Sequence, residues 1–252
     1  MIVKAVIRRL HLWAGLLLGA QILLWMLSGV VMSWFHLSLV RGETAAFAAP
    51  PLELQASTYA SPGGVIAQMD GATSVELRSF LGRAVYEARG AGRAALFDAS
   101  TGERLSPLPE ETARQVAERD FIGEGEIAAI ALLDDPPGEY RGPAPVWRAD
   151  FDDALHTRLY ISAQTGAVAA RRNDVWRLYD FFWMLHIMDY ADRENFNNPL
   201  LRAASAAGVV AALSGLFMLL FRSSRQLVAD DVRRALRLGS GKAARRDAPP
   251  SR

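Results

Sequence analysis

Residues 11–40 contain no Lys, Arg, Asp or Glu across thirty positions and are dense in Leu, Trp, Met, Val and Gly. At about 1.5 Å per residue, a helix of that length outreaches a hydrocarbon core about 30 Å thick, so the stretch is expected to span a membrane. His11 and His36 stand toward its two ends, about 37 Å apart on a continuous helix, and are therefore expected on opposite faces of the lipid bilayer. Lys4, Arg8 and Arg9 precede the run. A basic flank of this kind also opens secretory signals, and Ala46-Phe47-Ala48 faintly resembles a cleavage site. The apolar run is about twice a signal h-region of about 7–15 residues, which favours an uncleaved anchor. Gly15 and Gly19 form a GxxxG that would let a second helix approach closely, and Gln21 needs a partner within hydrocarbon or its own backbone.

With 252 residues, 51% of them hydrophobic, the chain has room for one modest domain and one or two spans. A mean hydropathy of +0.09 is too low for a polytopic bundle. A net charge of +1 gives no argument for nucleic acid. There are no cysteines, so disulfide, zinc-thiolate, iron–sulfur and thiol-nucleophile chemistry are excluded. A metal or cofactor would be held by His, Met, Tyr or carboxylate.

Residues 41–60 read as a linker around Pro50-Pro51. A soluble domain over 61–172 follows. Ser61-Pro62 reads as a cap and first-turn proline, and strands are expected at 74–80, 83–89 and 93–98, with Gly90-Ala91-Gly92 as a hairpin turn. The same plan then recurs, with an amphipathic helix at 109–120 and strands at 126–133, 145–151 and 156–162. Phe97-Asp98-Ala99-Ser100-Thr101-Gly102 and Ile161-Ser162-Ala163-Gln164-Thr165-Gly166 end the two halves alike, a repeat of 64 residues from threonine to threonine. We read an α+β domain of tandem helix-plus-antiparallel-hairpin units with helices on one sheet face.

Residues 173–198 hold an aromatic-rich helix, expected at a membrane–water interface, with His186 inside it. Asn198-Pro199 then cap and start a second span over 199–221, slim with Ala203, Ala204, Ala207, Gly208, Ala211, Ala212 and Gly215, and a partner for the Gly15 and Gly19 face. The tail, 222–252, has an excess of Lys and Arg. With the basic N-terminus, 1–9, it places both termini in the cytoplasm and the domain outside; in a Gram-negative bacterium that is the periplasm. The expected architecture is thus a periplasmic α+β domain inserted between two transmembrane α-helices, the first over 10–40, in the inner membrane.

Arg9-Leu10-His11-Leu12-Trp13-Ala14-Gly15, the doubled domain with its Thr-Gly turns, and Trp183-Met184-Leu185-His186-Ile187-Met188-Asp189-Tyr190 together resemble the PepSY domain and its associated transmembrane family, over nearly the whole chain to about Arg222. The resemblance implies two functions. Larger members, with about four spans, include inner-membrane proteins that bind haem and reduce ferric siderophores in the periplasm, a role in iron uptake by electron transfer; this chain has two spans. The soluble module is also proposed as a peptidase regulator, which implies a non-catalytic anchored module with a peptidase or transporter partner.

On the haem reading, His11, His36 and His186 are the candidate iron ligands of haem b. His36 and His186 are expected at one membrane face, where they could share an iron. His11 cannot join them, so a homodimer or a partner membrane subunit would complete its site, and a ferric siderophore is the implied substrate. Each histidine can equally be an interfacial residue without such a role. Met32, Met184 and Met188 are further candidate ligands or simply packing. His156 is expected exposed on a strand. Asp134-Asp135 and Asp150, Asp152 and Asp153 match no calcium-loop spacing, and Asp189, Asp192, Arg193 and Glu194 read as a polar cuff beside the second span. No phosphate loop, dinucleotide fingerprint or nucleophile elbow is present.

Overall fold

A computed structural model describes residues 2–47 and 59–217. Helix α1 (Ile2–Trp34) contains the first apolar span, Leu12–Trp34, and helix α6 (Pro199–Phe217) the second. Only 6% of the first apolar window and none of the second is buried, whereas the core helix of a globular domain covers its apolar face. Two helices of this length, apolar and uncovered, are what a bilayer requires. Residues 218–221 of the expected second span and the basic tail lie outside the described residues.

The first span ends sooner than residue 40. His36 leaves the helix at φ −65° and ψ 136°, and its Nδ1 accepts from the Ser38 backbone N–H at 3.4 Å, capping a separate one-turn helix α2 (Leu37–Val40). Absence of charge could not reveal this break, because Val40 is covered by protein instead: it is 3% exposed, and Asn173 donates to the Leu39 carbonyl at 3.1 Å. The expected linker, 41–60, is likewise docked at its start. Phe47 N–H donates to the Asp120 carbonyl at 2.7 Å, Ile122 N–H donates to the Ala45 carbonyl at 3.0 Å, and Ala46 bridges Phe121. Residues 48–58 lie outside the described residues.

The chain divides into two units, 1–28 with 184–252 and 29–183. In the second unit, α3 (Pro62–Ala67) starts at the expected cap, with Ser61 Oγ accepting from Gly63 N–H at 3.3 Å. Strands β1 (Ser74–Phe80), β2 (Arg83–Gly90) and β3 (Arg93–Asp98) form one antiparallel sheet in sequence order. Helix α4 (Glu110–Asp120) is followed by β4 (Ile127–Leu133), β5 (Val146–Phe151), β6 (Arg158–Ser162) and β7 (Val168–Arg172), a second antiparallel sheet. The single sheet of the sequence reading is therefore two.

The repeat holds to the atom at its turns. Gly102 N–H donates to the Asp98 carbonyl and Gly166 N–H to the Ser162 carbonyl, both at 2.8 Å. The Asp98 carboxylate and the Ser162 hydroxyl each accept from the two backbone N–H groups that precede the glycine. Both glycines sit at positive φ, 76° and 68°, which explains glycine at the same place twice. Phe97 then bridges Arg104 in the first half, and the corresponding pair in the second half, Ile161 and Val168, opens β7. The unexpected strand is thus an extension of a single bridge already present in the first repeat.

Core packing explains why β2 is buried at four consecutive positions instead of alternating. Tyr86 and Ala88 face α3 with Phe97 and Val65, whereas Val85 faces the other way, with Leu96, against α4 residues Ala113, Val116 and Ala117 and the second sheet's Trp147, Leu159 and Ile161. Trp147 Nε1–H donates to the Leu108 carbonyl at 2.9 Å and ties the second sheet to the segment that leads into α4.

In the first unit α1 and α6 meet differently from expectation. A Cβ built on Gly208 would stand 3.8 Å from the Trp25 ring, while nothing lies within 4 Å of one built on Gly15 or Gly19. Between Leu12 and Ser28 the half-buried positions of α1 are Leu18, Gln21, Leu24 and Trp25, with Ser28 fully buried. A large indole against a glycine fills the contact, and the GxxxG face is left open among the described residues.

Candidate functional site

Helix α5 (Asp174–Ile187) forms where the sequence reading placed it, with Asn173 Oδ1 accepting from Trp176 N–H at 2.7 Å as its cap. Leu178 and Phe181, three apart, are exposed, an apolar strip on one side. Near its end lies His186. Its Nδ1 is 2.9 Å from Ser28 Oγ. That hydroxyl also stands 2.8 Å from the Leu24 carbonyl and 3.0 Å from the Trp25 carbonyl. Ser28 Oγ thus anchors the Nδ1 side of the ring, and Nε2 has no hydrogen-bond partner among the described residues. With the serine proton donated backward along α1, the hydroxyl accepts from His186 Nδ1–H, and in that tautomer the Nε2 lone pair is available to an acid or a metal.

His36 is set up the other way. Its Nδ1 accepts from Ser38 N–H and faces Ser38 Oγ at 2.7 Å, so its acceptor nitrogen serves the cap of α2. The side chain of His11 lies outside what is described. His156 is a turn residue rather than the start of a strand, at φ 48°; its Nδ1 is 2.7 Å from Asp174 Oδ2, and Arg177 donates to the other carboxylate oxygen at 2.7 Å. The hydrogen bond from His156 is the main reason that the Asp174 carboxyl is held below the usual carboxylate range, with Arg177 adding to it.

Above Ser28 on the same face of α1, Gln21 Nε2 and Trp25 Nε1 are buried without a hydrogen-bond partner among the described residues. Gln21, Trp25 and Ser28 are spaced by four and three, which puts all three on one stripe. The sequence singled out Gln21 as needing a partner. It could not single out Ser28, because the histidine that faces it lies 158 positions away.

The carboxylate chemistry of the second unit is structural. Burial alone would raise the Glu139 carboxyl, but hydrogen bonds from Tyr160 and Arg158 and the charges of Arg177 and Arg158 outweigh burial and hold it low. Burial and the neighbouring Glu139 push the Tyr160 phenol up. Asp152 accepts from Glu126 N–H at 2.6 Å, Asp153 caps Thr157 at 2.6 Å, and Asp150 pairs with Arg148 and Arg158. Asp189 accepts from three backbone N–H groups, those of Asp192, Glu194 and Asn195. Among the described residues no three His, Asp or Glu gather as a metal site. Asn198 caps α6 as expected, accepting from Leu201 N–H at 2.8 Å, and also donates to the Ile187 carbonyl at 2.9 Å, joining the end of α5 to the second span.

Two apolar helices flanking a doubled α+β domain define a class, the membrane protein with a folded domain between two spans. The family model for the PepSY-associated TM region matches residues 8–248, and the chain belongs to that family. No curated protein and no solved structure gives a match.

Proposed function

We propose that this PepSY-family membrane protein binds haem b through His186 and passes electrons toward iron complexes outside the inner membrane, with its domain in the periplasm and both termini in the cytoplasm. One observation carries the reading. The Ser28 hydroxyl meets His186 Nδ1 at 2.9 Å and leaves Nε2 as the nitrogen without a hydrogen-bond partner among the described residues, and histidine ligands of metals characteristically have their other ring nitrogen anchored in this way. The donor set fits a b-type haem, which needs no thioether bond, since the chain has no cysteine. Bound haem would supply one-electron chemistry; the chain supplies the ligand nitrogen, its orienting hydroxyl and an apolar surround. The two buried donors above it, Gln21 and Trp25, are polar groups that acquire a use if an acceptor-bearing group enters this stripe.

A second copy of the chain, or a partner membrane subunit, docking on the open face at Gly15 and Gly19 would bring the ligand that His11 lacks. The domain then receives the ferric siderophore. An absorption spectrum of the full chain purified in detergent, after expression with ample haem, tests the proposal. A Soret band that is lost in His186→Ala, with the circular-dichroism spectrum unchanged, is the expected result. A preparation without any Soret band overturns it.

A further inference from the structure

The second unit holds a cavity of about 240 Å³ where the end of β1, the C-terminal end of α4 and the start of β7 converge. Its charged wall is built from Arg78, Arg119 and Arg171, and its apolar wall includes Phe47, Phe80 and Val168. Two of the three guanidinium groups have carboxylate partners. Arg171 makes a two-pronged pair with Asp120, and Arg78 donates to Glu87 at 2.7 Å and to the Thr165 carbonyl. Glu87 is only 4% exposed, lies beneath Arg78 and also pairs with Arg89. The guanidinium of this wall without a carboxylate partner is Arg119. That side chain makes no ion pair among the described residues and is steadied instead by the Phe47 ring, 5.4 Å from its guanidinium carbon. Arg78 stands over Phe80 in the same manner, at 5.6 Å.

We propose that this cavity is a binding site for a small organic monocarboxylate with an apolar, ring-sized body. A guanidinium fork with no ion-pair partner among the described residues matches one carboxylate in two-pronged geometry. Phe47, Phe80 and Val168 receive the apolar body. The volume falls below the roughly 300–1,000 Å³ of pockets for drug-sized ligands, so the ligand is of the size of one or two amino-acid residues. The site is independent of the haem reading, since every residue in it belongs to the second unit, whereas Ser28 and His186 belong to the first.

The test is calorimetric titration of the full chain in detergent with N-acetylphenylalanine, and separately with its neutral amide. Saturable binding of the acid is expected, with the amide at least about tenfold weaker. Arg119→Ala, an exposed substitution, should weaken the acid about tenfold while leaving the thermal midpoint unchanged. His186→Ala should leave the affinity as it was. Equal binding of acid and amide, full affinity in Arg119→Ala, or no saturable signal from the acid up to about 10 mM would each overturn the assignment.

Discussion

The Ser28 hydroxyl anchors the Nδ1 side of the His186 ring, so the loss of one oxygen atom in the first span should be read out in the second half of the chain. Ser28→Ala removes the acceptor for His186 Nδ1–H and leaves the ring free to turn or change tautomer. On the haem reading it should lower haem retention about tenfold or more while keeping a residual Soret band, the usual size of effect for a residue behind a metal ligand. Haem titration of the two proteins measures it, and unchanged retention would remove Ser28 from the site. Glu139 gives a residue-scale prediction in the domain. Its carboxyl is held below the value it has in an unfolded chain, so the folded state binds fewer protons across that interval. The stabilisation is complete above the unfolded value of about 4.3 and is lost as pH falls through the lower folded one. Glu139→Gln should therefore cost about 2 kcal/mol at neutral pH, the scale of a charge-assisted hydrogen bond, and the gap to the parent protein should close in acid. Unfolding midpoints against pH check both halves of that statement.

Among elements, the pairing of α1 with α6 is the contact that sequence reading placed wrongly. Glycine spacing marks a helix face able to approach another, but it does not say which of several such faces is used. Here α6 presents Gly208 to the Trp25 ring, and Gly15 and Gly19 remain open. The chain has no cysteine, so introduced pairs report cleanly. Cysteines at Trp25 and Gly208 should be bridged within one chain by a bifunctional thiol reagent of about 8 Å reach, the length of the indole plus its contact, and cysteines at Gly15 and Gly208 should not. Gel mobility after treatment distinguishes the outcomes. The break at His36 belongs to this scale too. A charge-free run counted as one helix to residue 40 is a helix to Trp34 followed by a turn that the domain buries.

For the whole molecule, the proposed topology puts both termini on one side of the membrane and the folded domain on the other. Glu103→Cys lies on an exposed turn of the domain. In cells with only the outer membrane opened, a membrane-impermeant maleimide should label it fully, whereas labelling that requires lysis would reverse the proposed orientation. The spans, the 64-residue repeat and the helix that carries His186 were legible beforehand, because each depends on local pattern: unbroken apolarity, recurring turn residues and helical spacing. Ser28, the Arg119 guanidinium without an ion pair among the described residues and the two-sheet packing were not, because each depends on which distant residue lies opposite.

The sequence by itself determined the number of spans, the order of elements and the glycines at the Thr-Gly turns, since bilayer thickness and backbone sterics act within a few residues. Only the tertiary structure decided which ring nitrogen of His186 is anchored and which guanidinium of the cavity wall has no ion-pair partner among the described residues. Both follow from hydrogen bonds between positions far apart in the chain, Ser28 with His186 and Asp120 with Arg171, and no local pattern records such a pairing.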